Sequence, residues 1–255
     1  CASGSANDNT VNISGGTICL SAYVYGGYAN GSANDNTVNI SGNAKVTGNV
    51  YGGWSNNDSA NDNTVNISGS ADIENANLYG SYNDTDTGNT LTIDGWSGST
   101  KSVKNFNDIA FKNINWNENK PVLTITVGSA DDLENTTIDT IHIAGGSDIN
   151  VDESKTLIKN NGTLNSIGNV TDAFTAGVAR EGLGSTSVDK TTGEVSFKVN
   201  SIKLSSQAVS AAQTRAASAA FVNQGTDLIS DSLDTISRDD NYGVKTFAAV
   251  HGNRS

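Results

Sequence analysis

Hydrophobic and polar residues alternate in a short segment that recurs along the first part of the chain. In Thr-Val-Asn-Ile-Ser, the valine and the isoleucine occupy every second position, which is the spacing of a strand with one buried face. Asn, Thr, Gly and Val also disfavour a helix. The pattern therefore predicts a β-strand with Val11 and Ile13 on its buried face.

This predicted strand belongs to a repeat of about 27 residues. The segment from Gly4 to Gly15 returns unchanged at 31–42, nearly complete at 59–69, and in altered form at 88–95. The spacings from Ile13 to Ile40, Ile67 and Ile93 are 27, 27 and 26 residues. A second segment of the type Val-Tyr-Gly-Gly alternates with the first, beginning at Val24, Val50 and Leu78. A fixed period of this size is typical of stacked-repeat proteins.

Parallel stacking explains how such weak strands become stable. One strand buries too little apolar surface by itself, so the repeats are expected to stack about 4.8 Å apart. The stack would form two interior columns, Val11, Val38, Val65 and Leu91, and Ile13, Ile40, Ile67 and Ile93. The pairs Gly26-Gly27 and Gly52-Gly53 are expected to form sharp bends. We predict a right-handed parallel β-helix. A propeller blade needs ~40 residues, and a Gly/Asn-rich disordered linker would not keep the columns in phase.

The two cysteines do not form a disulfide framework. Adding the 27-residue period to Cys19 places it over Val46 and then over Ile73. Cys19 is therefore expected to be a small buried hydrophobic residue in a third apolar column. A disulfide to Cys1 is the alternative.

The chain changes character three times. Residues 1–95 are the regular repeats, and residues 96–204 are expected to form irregular coils and a cap, with strands at 103–114, 122–127, 138–143, 156–158 and 195–204. Residues 205–240 are Ala-rich and predict a helical linker that Gly225 breaks or kinks. Residues 243–251, within a segment 241–255, predict a lone strand. No run of 18 apolar residues occurs, so no transmembrane helix is expected. The start in mid-repeat without Met indicates a fragment.

Composition narrows the possible partners. The net charge is −12, and the first hundred residues contain one basic residue, Lys45, against nine acidic residues. Nucleic acids and anionic membranes are bound by clustered Lys and Arg, so both are improbable partners.

Candidate chemical groups are few. Asp8, Asp35 and Asp62 would stack, either as a calcium ladder or, as we favour, as solvated turns with left-handed backbone. His142 is expected to point outward from its strand rather than act as a base. The pairs Asp131-Asp132 and Asp239-Asp240 are interpreted as solvated turn charges. With His251 the only other histidine, we predict no catalytic residue, no cofactor and no metal site, and hence no enzyme.

Aromatic residues also recur in register, as Tyr25, Tyr51 and Tyr79 and as Tyr28, Trp54 and Tyr82. These columns would either bind sugars or another protein, or hold neighbouring coils together. We favour the second role, since cross-coil aromatic pairs contribute about 0.5–1 kcal/mol each.

The order of these parts resembles a type V autotransporter of a Gram-negative bacterium. The most specific segment is Ala-Phe-Val-Asn-Gln-Gly-Thr-Asp-Leu at 220–228 with Gly-Val-Lys-Thr-Phe-Ala-Ala-Val at 243–250. It is similar to the junction between passenger and outer-membrane barrel. The resemblance covers most of the chain and implies a secreted β-helical passenger, an autochaperone at about 100–200, a helix that threads the barrel pore, and a first barrel strand at 244–250. The barrel itself is missing from this sequence.

The resemblance implies a surface-displayed passenger whose partner is its own C-terminal outer-membrane barrel. We expect an adhesin or its stalk at the cell surface, with a host-cell or matrix glycan or protein as a further partner. The alternative is an enzyme passenger, a protease, lipase or polysaccharide lyase, with its active site upstream. No Gly-Asp-Ser-Gly segment or metal-binding Cys/His spacing is present.

Overall fold

A computed structural model describes the backbone of residues 4–237 and the side chains up to residue 231. The chain divides into two compact units, Cys1–Lys203 and Leu204–Ser255. The described strands are β1 (Thr10–Ile13), β2 (Thr17–Ile18), β3 (Tyr23–Ala29), β4 (Thr37–Ile40), β5 (Lys45–Val46), β6 (Asn49–Ser55), β7 (Thr64–Ser68), β8 (Asn77–Tyr79), β9 (Thr90–Asp94), β10 (Gly98–Thr100), β11 (Ser102–Lys104), β12 (Asp108–Ile114), β13 (Leu123–Ile125), β14 (Thr137–Ile143), β15 (Ser154–Asn160), β16 (Ala173–Ala176), β17 (Arg180–Asp189) and β18 (Glu194–Leu204). The helix α1 is Ser206–Ser237.

The first unit is a parallel β-solenoid of about five turns. One face consists of parallel strands in the order β1, β4, β7, β9, β12, β14 and β16. A second face consists of β3, β6, β8 and β11. Between these two, β2 and β5 pair in the early coils and β10, β13 and β15 in the later ones. The prediction of a parallel β-helix is confirmed.

Both predicted interior columns are present. Val11 pairs in register with Val38, Val65, Leu91 and then Ile109. The isoleucine column continues in the same way to Phe111. From the second coil onward these side chains are fully or almost fully buried. Burial of one such side chain stabilises the fold by about 1.5–3 kcal/mol, so the two columns stabilise strands that would be unstable alone.

The prediction for Cys19 is wrong. Ile18, not Cys19, pairs with Val46, and Cys19 is an exposed free thiol. The turn before β2 is one residue shorter than the turn before β5, so the local spacing is 28 residues instead of 27. The cysteine therefore lies past the end of the strand. Cys1, its alternative disulfide partner, lies outside the described residues.

The two glycine pairs do not form bends, contrary to the prediction. Both lie within strands β3 and β6. A Cβ at Gly26 would lie 2.2 Å from the carbonyl oxygen of Gly52, and one at Gly53 would lie 2.5 Å from Nδ2 of Asn63. Glycine is required because neighbouring backbone and a buried asparagine approach too closely for any side chain.

A cap closes the C-terminal end of the solenoid. Strand β17 pairs antiparallel with β16, and β18 pairs antiparallel with β15, so the sheet folds back on itself. Gly182 and Gly184 in β17 leave room for the rings of Phe174 and Phe197, which meet edge-on at 5.8 Å. The predicted cap is thus present, although β16 and β17 were missed. The predicted strand at 103–114 is two strands, separated at Asn105 by left-handed backbone.

Helix α1 follows as the predicted Ala-rich helix. Its first turn is capped by Ser205, whose Oγ accepts a hydrogen bond from the backbone N of Ala208 at 3.2 Å. The expected break at Gly225 does not occur, and no atom lies within 4 Å of the space a Cβ would fill there. No helix in the described part of the chain has a stretch apolar enough to cross a membrane. The strand predicted at 243–251 lies outside the described residues.

Candidate functional site

Seven aromatic side chains cover the second face of the solenoid, and we call them the aromatic ladder: Tyr23, Tyr25, Tyr28, Tyr51, Trp54, Tyr79 and Tyr82. The strand register aligns Tyr25 with Tyr51 and Tyr79. Their rings stack at centroid distances of 5.5 and 4.6 Å with interplanar angles of 15° and 10°. Repetition of tyrosine at one strand position is what creates this stack.

Trp54 ties the two aromatic columns together. Its ring meets Tyr51 edge-on at 4.8 Å and stacks on Tyr82 at 3.8 Å. Its Nε1 donates a hydrogen bond to Oδ1 of Asn56 at 2.9 Å. Offset and edge-on pairs of this kind add about 0.5–1.5 kcal/mol each to the energy of burial. These contacts favour the interpretation that the ladder holds neighbouring coils together.

The centre of the ladder is shielded from water. Tyr51 is only 7% exposed, and burial raises its pKa to about 12. Burial also raises the pKa of Tyr25 and of Tyr79. The neutral phenol is thus strongly preferred at these positions, and the inner ring faces are taken up by each other instead of by a ligand.

The two ends of the ladder remain accessible. Tyr23 is 56% exposed and Tyr82 is 51% exposed. Trp54 covers one face of Tyr82. On the next coil, strand β11 ends at Lys104, which pairs with Tyr79, and within the described residues no ring stacks on the other face of Tyr82. These two rings are the exposed members of the ladder, since the other five are buried or part-buried.

Sequence reasoning missed a ladder of buried asparagines inside one corner. Oδ1 of Asn63 accepts hydrogen bonds from the backbone N of Asn36 at 2.9 Å and from its Nδ2 at 3.0 Å. Asn9 makes the same pair of bonds to Asn36, and Asn63 makes it to Asn89. Asn36, Asn63 and Asn89 are fully buried. The signal was an asparagine repeated in register, since each copy can both donate to one coil and accept from the other.

The repeated aspartates occupy the turns beside this ladder. Asp8, Asp35 and Asp62 have φ values of 58°, 57° and 56°, so all three adopt left-handed backbone. In the fourth copy Gly88 adopts the same conformation with φ of 73°. Among residues 4–231 no group of three or more His, Cys, Asp or Glu side chains is arranged to hold a metal ion. The preference of Asp for this conformation accounts for the turns.

Three of the remaining candidate residues can be placed, namely His142, Asp131 and Asp132. His142 points outward between the buried Ile141 and Ile143, as predicted, and its Nδ1 lies 2.6 Å from Oγ1 of Thr175. Asp132, in contrast, is buried instead of solvated. It accepts hydrogen bonds from Ser102 and from the backbone N of Val103, and its burial raises its pKa. Its neighbour Asp131 is exposed, and Asp239, Asp240 and His251 lie outside the described residues.

A buried lysine was also missed by sequence reasoning. Lys155 is 5% exposed and its Nζ donates to the carbonyl oxygen of Glu118. Burial lowers the pKa of Lys155. Nearby, Oε2 of Glu153 accepts from Nε1 of Trp116 at 3.1 Å and from the backbone N of Asn150 at 3.0 Å. Because these groups are engaged with loop backbone and the indole, we interpret them as anchors of the corner loops.

Comparisons with protein-family models, with curated proteins and with solved structures give no match. The interpretation of this chain therefore depends on its own residues and geometry.

Proposed function

We propose that this chain is the membrane-proximal passenger segment of a surface-displayed autotransporter, in which the solenoid serves as a stalk or an adhesive surface. The observation that carries the proposal is the order of the described parts. A repetitive parallel solenoid ends in an antiparallel cap, β16–β18, and the chain then forms a long helix of 32 residues. This order matches the passenger, autochaperone and linker helix of the autotransporters that the sequence resembles.

The physical logic of the stack supports such a role. In a solenoid each coil contacts mainly its neighbours, so folding spreads from whichever coil forms first. The cap has its own packed aromatic pair, Phe174 and Phe197, and it covers one end of the parallel sheet. A cap that folds first would serve as a template for the preceding coils. This folding order suits a chain whose C-terminal cap leaves the pore before the coils do.

The helix has the character required of a linker in a narrow polar tube. Its residues 206–222 are dominated by Ala, Ser, Gln and Thr. Oγ1 of Thr214 and Oγ of Ser218 bond back to backbone carbonyl oxygens four residues earlier, at 2.9 Å in both cases. A helix whose polar side chains fold back on its own backbone presents a slim surface. Val244 to Val250 then supply the proposed first barrel strand.

Display at the cell surface is the property to test. The full-length protein that carries this chain is expressed in a Gram-negative host with an epitope inserted after Asn57, in the exposed turn between β6 and β7. External protease on intact cells is expected to remove the epitope, while a periplasmic marker protein stays uncut. An epitope that is cut only after the outer membrane is broken would contradict the proposal.

A further inference from the structure

Two asparagines of this chain are followed directly by glycine, in the pairs Asn30-Gly31 and Asn161-Gly162. This order of residues favours deamidation, because glycine has no side chain to hinder its backbone N from attacking Cγ of the asparagine. Both asparagines are exposed and both glycines are part-buried. Exposure therefore does not distinguish the two pairs, whereas their hydrogen bonds do.

Hydrogen bonds hold both reacting groups of the first pair. The backbone N of Gly31 donates to the carbonyl oxygen of Gly4 at 3.1 Å. Oδ1 of Asn30 accepts from Nδ2 of Asn56 at 2.7 Å. The attack requires a backbone N that is free and a side chain that can turn toward it. Both bonds would have to open before Asn30 could react, so this pair is protected.

The aspartate–glycine pair Asp94-Gly95 is held in the same way. An aspartate before glycine reaches the same cyclic intermediate by loss of water, so it is a useful comparison. The backbone N of Gly95 donates to the carbonyl oxygen of Lys112 at 2.9 Å. Oδ1 of Asp94 accepts from Nδ2 of Asn113 at 2.7 Å. In both pairs, hydrogen bonds to a neighbouring coil thus occupy the two groups that would have to react.

The pair Asn161-Gly162 has neither bond. Within the described residues, the backbone N of Gly162 has no hydrogen-bond partner, and neither has the side chain of Asn161. The surrounding backbone is nevertheless anchored. The backbone N of Asn161 donates to the carbonyl oxygen of Ile125 at 2.9 Å, and Nδ2 of the fully buried Asn160 donates to the carbonyl oxygen of Thr163 at 3.1 Å. The two reacting groups are thus the part of this corner that hydrogen bonds leave free.

We propose that Asn161 deamidates spontaneously in the folded chain. The backbone N of Gly162 gives its proton to hydroxide and forms a bond to Cγ of Asn161. The bond between Cγ and Nδ2 breaks, Nδ2 takes a proton from water, and ammonia leaves behind a cyclic succinimide. Water then adds to one of the two ring carbonyl carbons, and the C–N bond at that carbon breaks. Opening at Cγ gives aspartate, and opening at the backbone carbonyl carbon gives isoaspartate.

The modified residue lies at a close contact between two coils. A Cβ at Gly162 would lie 1.9 Å from the carbonyl oxygen of Gly128, so the backbone has little space here. Isoaspartate lengthens the backbone by one carbon atom, and both products add a negative charge. The reaction therefore alters the corner beside the buried Asn160 as the protein ages. It depends only on the chemistry of this chain and is independent of the proposed function.

Peptide mapping by mass spectrometry measures the reaction in the purified, folded chain during incubation at mildly alkaline pH. Trypsin cleaves after Lys45, Lys159 and Arg180, so the peptide 160–180 reports on Asn161 and the peptide 1–45 reports on Asn30. Asn161 is expected to react about tenfold faster than Asn30 or more, because hydrogen bonds must open before attack at Asn30. The rate should rise with pH, since the attacking N must lose its proton. Labelling by an isoaspartyl methyltransferase identifies the isoaspartate product.

The same incubation in concentrated guanidinium chloride is the matched control. In the unfolded chain both pairs lose their hydrogen bonds, so the rates at Asn30 and Asn161 should become similar. Asn161→Gln keeps an amide but lengthens the side chain, which disfavours the cyclic intermediate. In this variant the peptide 160–180 should stay unmodified, while the rate at Asn30 should not change.

Three results would overturn the proposal. The first is an Asn161 that, in the folded chain, does not react or reacts no faster than Asn30. The second is a tenfold difference that persists in guanidinium chloride, since the cause would then be the local sequence instead of the fold. The third is modification of the peptide 160–180 in Asn161→Gln, because the reacting residue would then be another asparagine.

Discussion

Replacing Asn63 by alanine tests whether the buried asparagine ladder stabilises the stack. The substitution removes one acceptor that serves both the backbone N and Nδ2 of Asn36, at 2.9 and 3.0 Å. It also removes the donor to Oδ1 of Asn89 at 3.1 Å. Both donors of Asn36 are then left unpaired in a fully buried place.

The magnitude follows from those two orphaned donors. Each buried donor that loses its partner costs about 1–3 kcal/mol, so Asn63→Ala should lower the free energy of unfolding by about 4 kcal/mol. The backbone N of Asn63 keeps its bond to Oδ1 of Asn89, so no further loss is expected there. The matched control is Asn66→Ala. Nδ2 of Asn66 donates to Oδ1 of Asn39 at 2.7 Å on the outer, part-exposed face, where water can replace it, so the cost should be about 1 kcal/mol or less.

Urea titration of the purified chain, followed by far-ultraviolet circular dichroism, measures the difference. Comparable slopes of unfolding free energy against urea are required, because a changed slope would mean that part of the stack unfolds separately. If the two variants lose stability within about 0.5 kcal/mol of each other, burial of the ladder is not what makes it stabilising. The energetic reasoning would then be refuted, since it assigns the whole difference to the absence of water.

Three further predictions concern the aromatic ladder and the helix. Trp54→Ala should lower the free energy of unfolding by about 3–5 kcal/mol in calorimetry, because it removes the ring contacts to Tyr28 on the preceding coil and to Tyr82 on the following one. Unchanged stability with lost ligand binding would instead identify a contact surface. Burial raises the pKa of Tyr51 to about 12, so the stabilisation from its neutral phenol is complete below the unfolded-state pKa near 10 and is lost as the pH rises toward 12. The free energy of unfolding should therefore fall less steeply with rising pH in Tyr51→Phe. An identical pH profile would contradict the assignment. Gly225→Ala should raise the thermal midpoint of α1, measured by circular dichroism, because alanine favours a helix by about 1 kcal/mol and meets no atom within 4 Å; a lower midpoint would mean that the glycine is needed there.

The repeating core and the strands and helix around it can be predicted from the amino-acid sequence alone. A strand buries every second side chain, so Val38 and Ile40 had to face one way, and the constant period placed Val65 and Ile67 above them. The Ala-rich composition was likewise sufficient for α1. These features depend on local geometry or on exact repetition, and both can be read along the chain.

The corners of the solenoid, in contrast, depend on how the coils stack in three dimensions. A one-residue difference in turn length moved Cys19 out of the third column, which no fixed period could anticipate. Asp132 and Asn63 are buried because residues of the neighbouring coils cover them. Gly26 is likewise close to backbone of the next coil. The turn between β11 and β12 has only residues 105–107, whereas the same turn on the preceding coil spans 80–89. Contacts between neighbouring coils join residues about 18 to 30 positions apart. The effects of turn length and of these contacts therefore appear only when the coils are stacked.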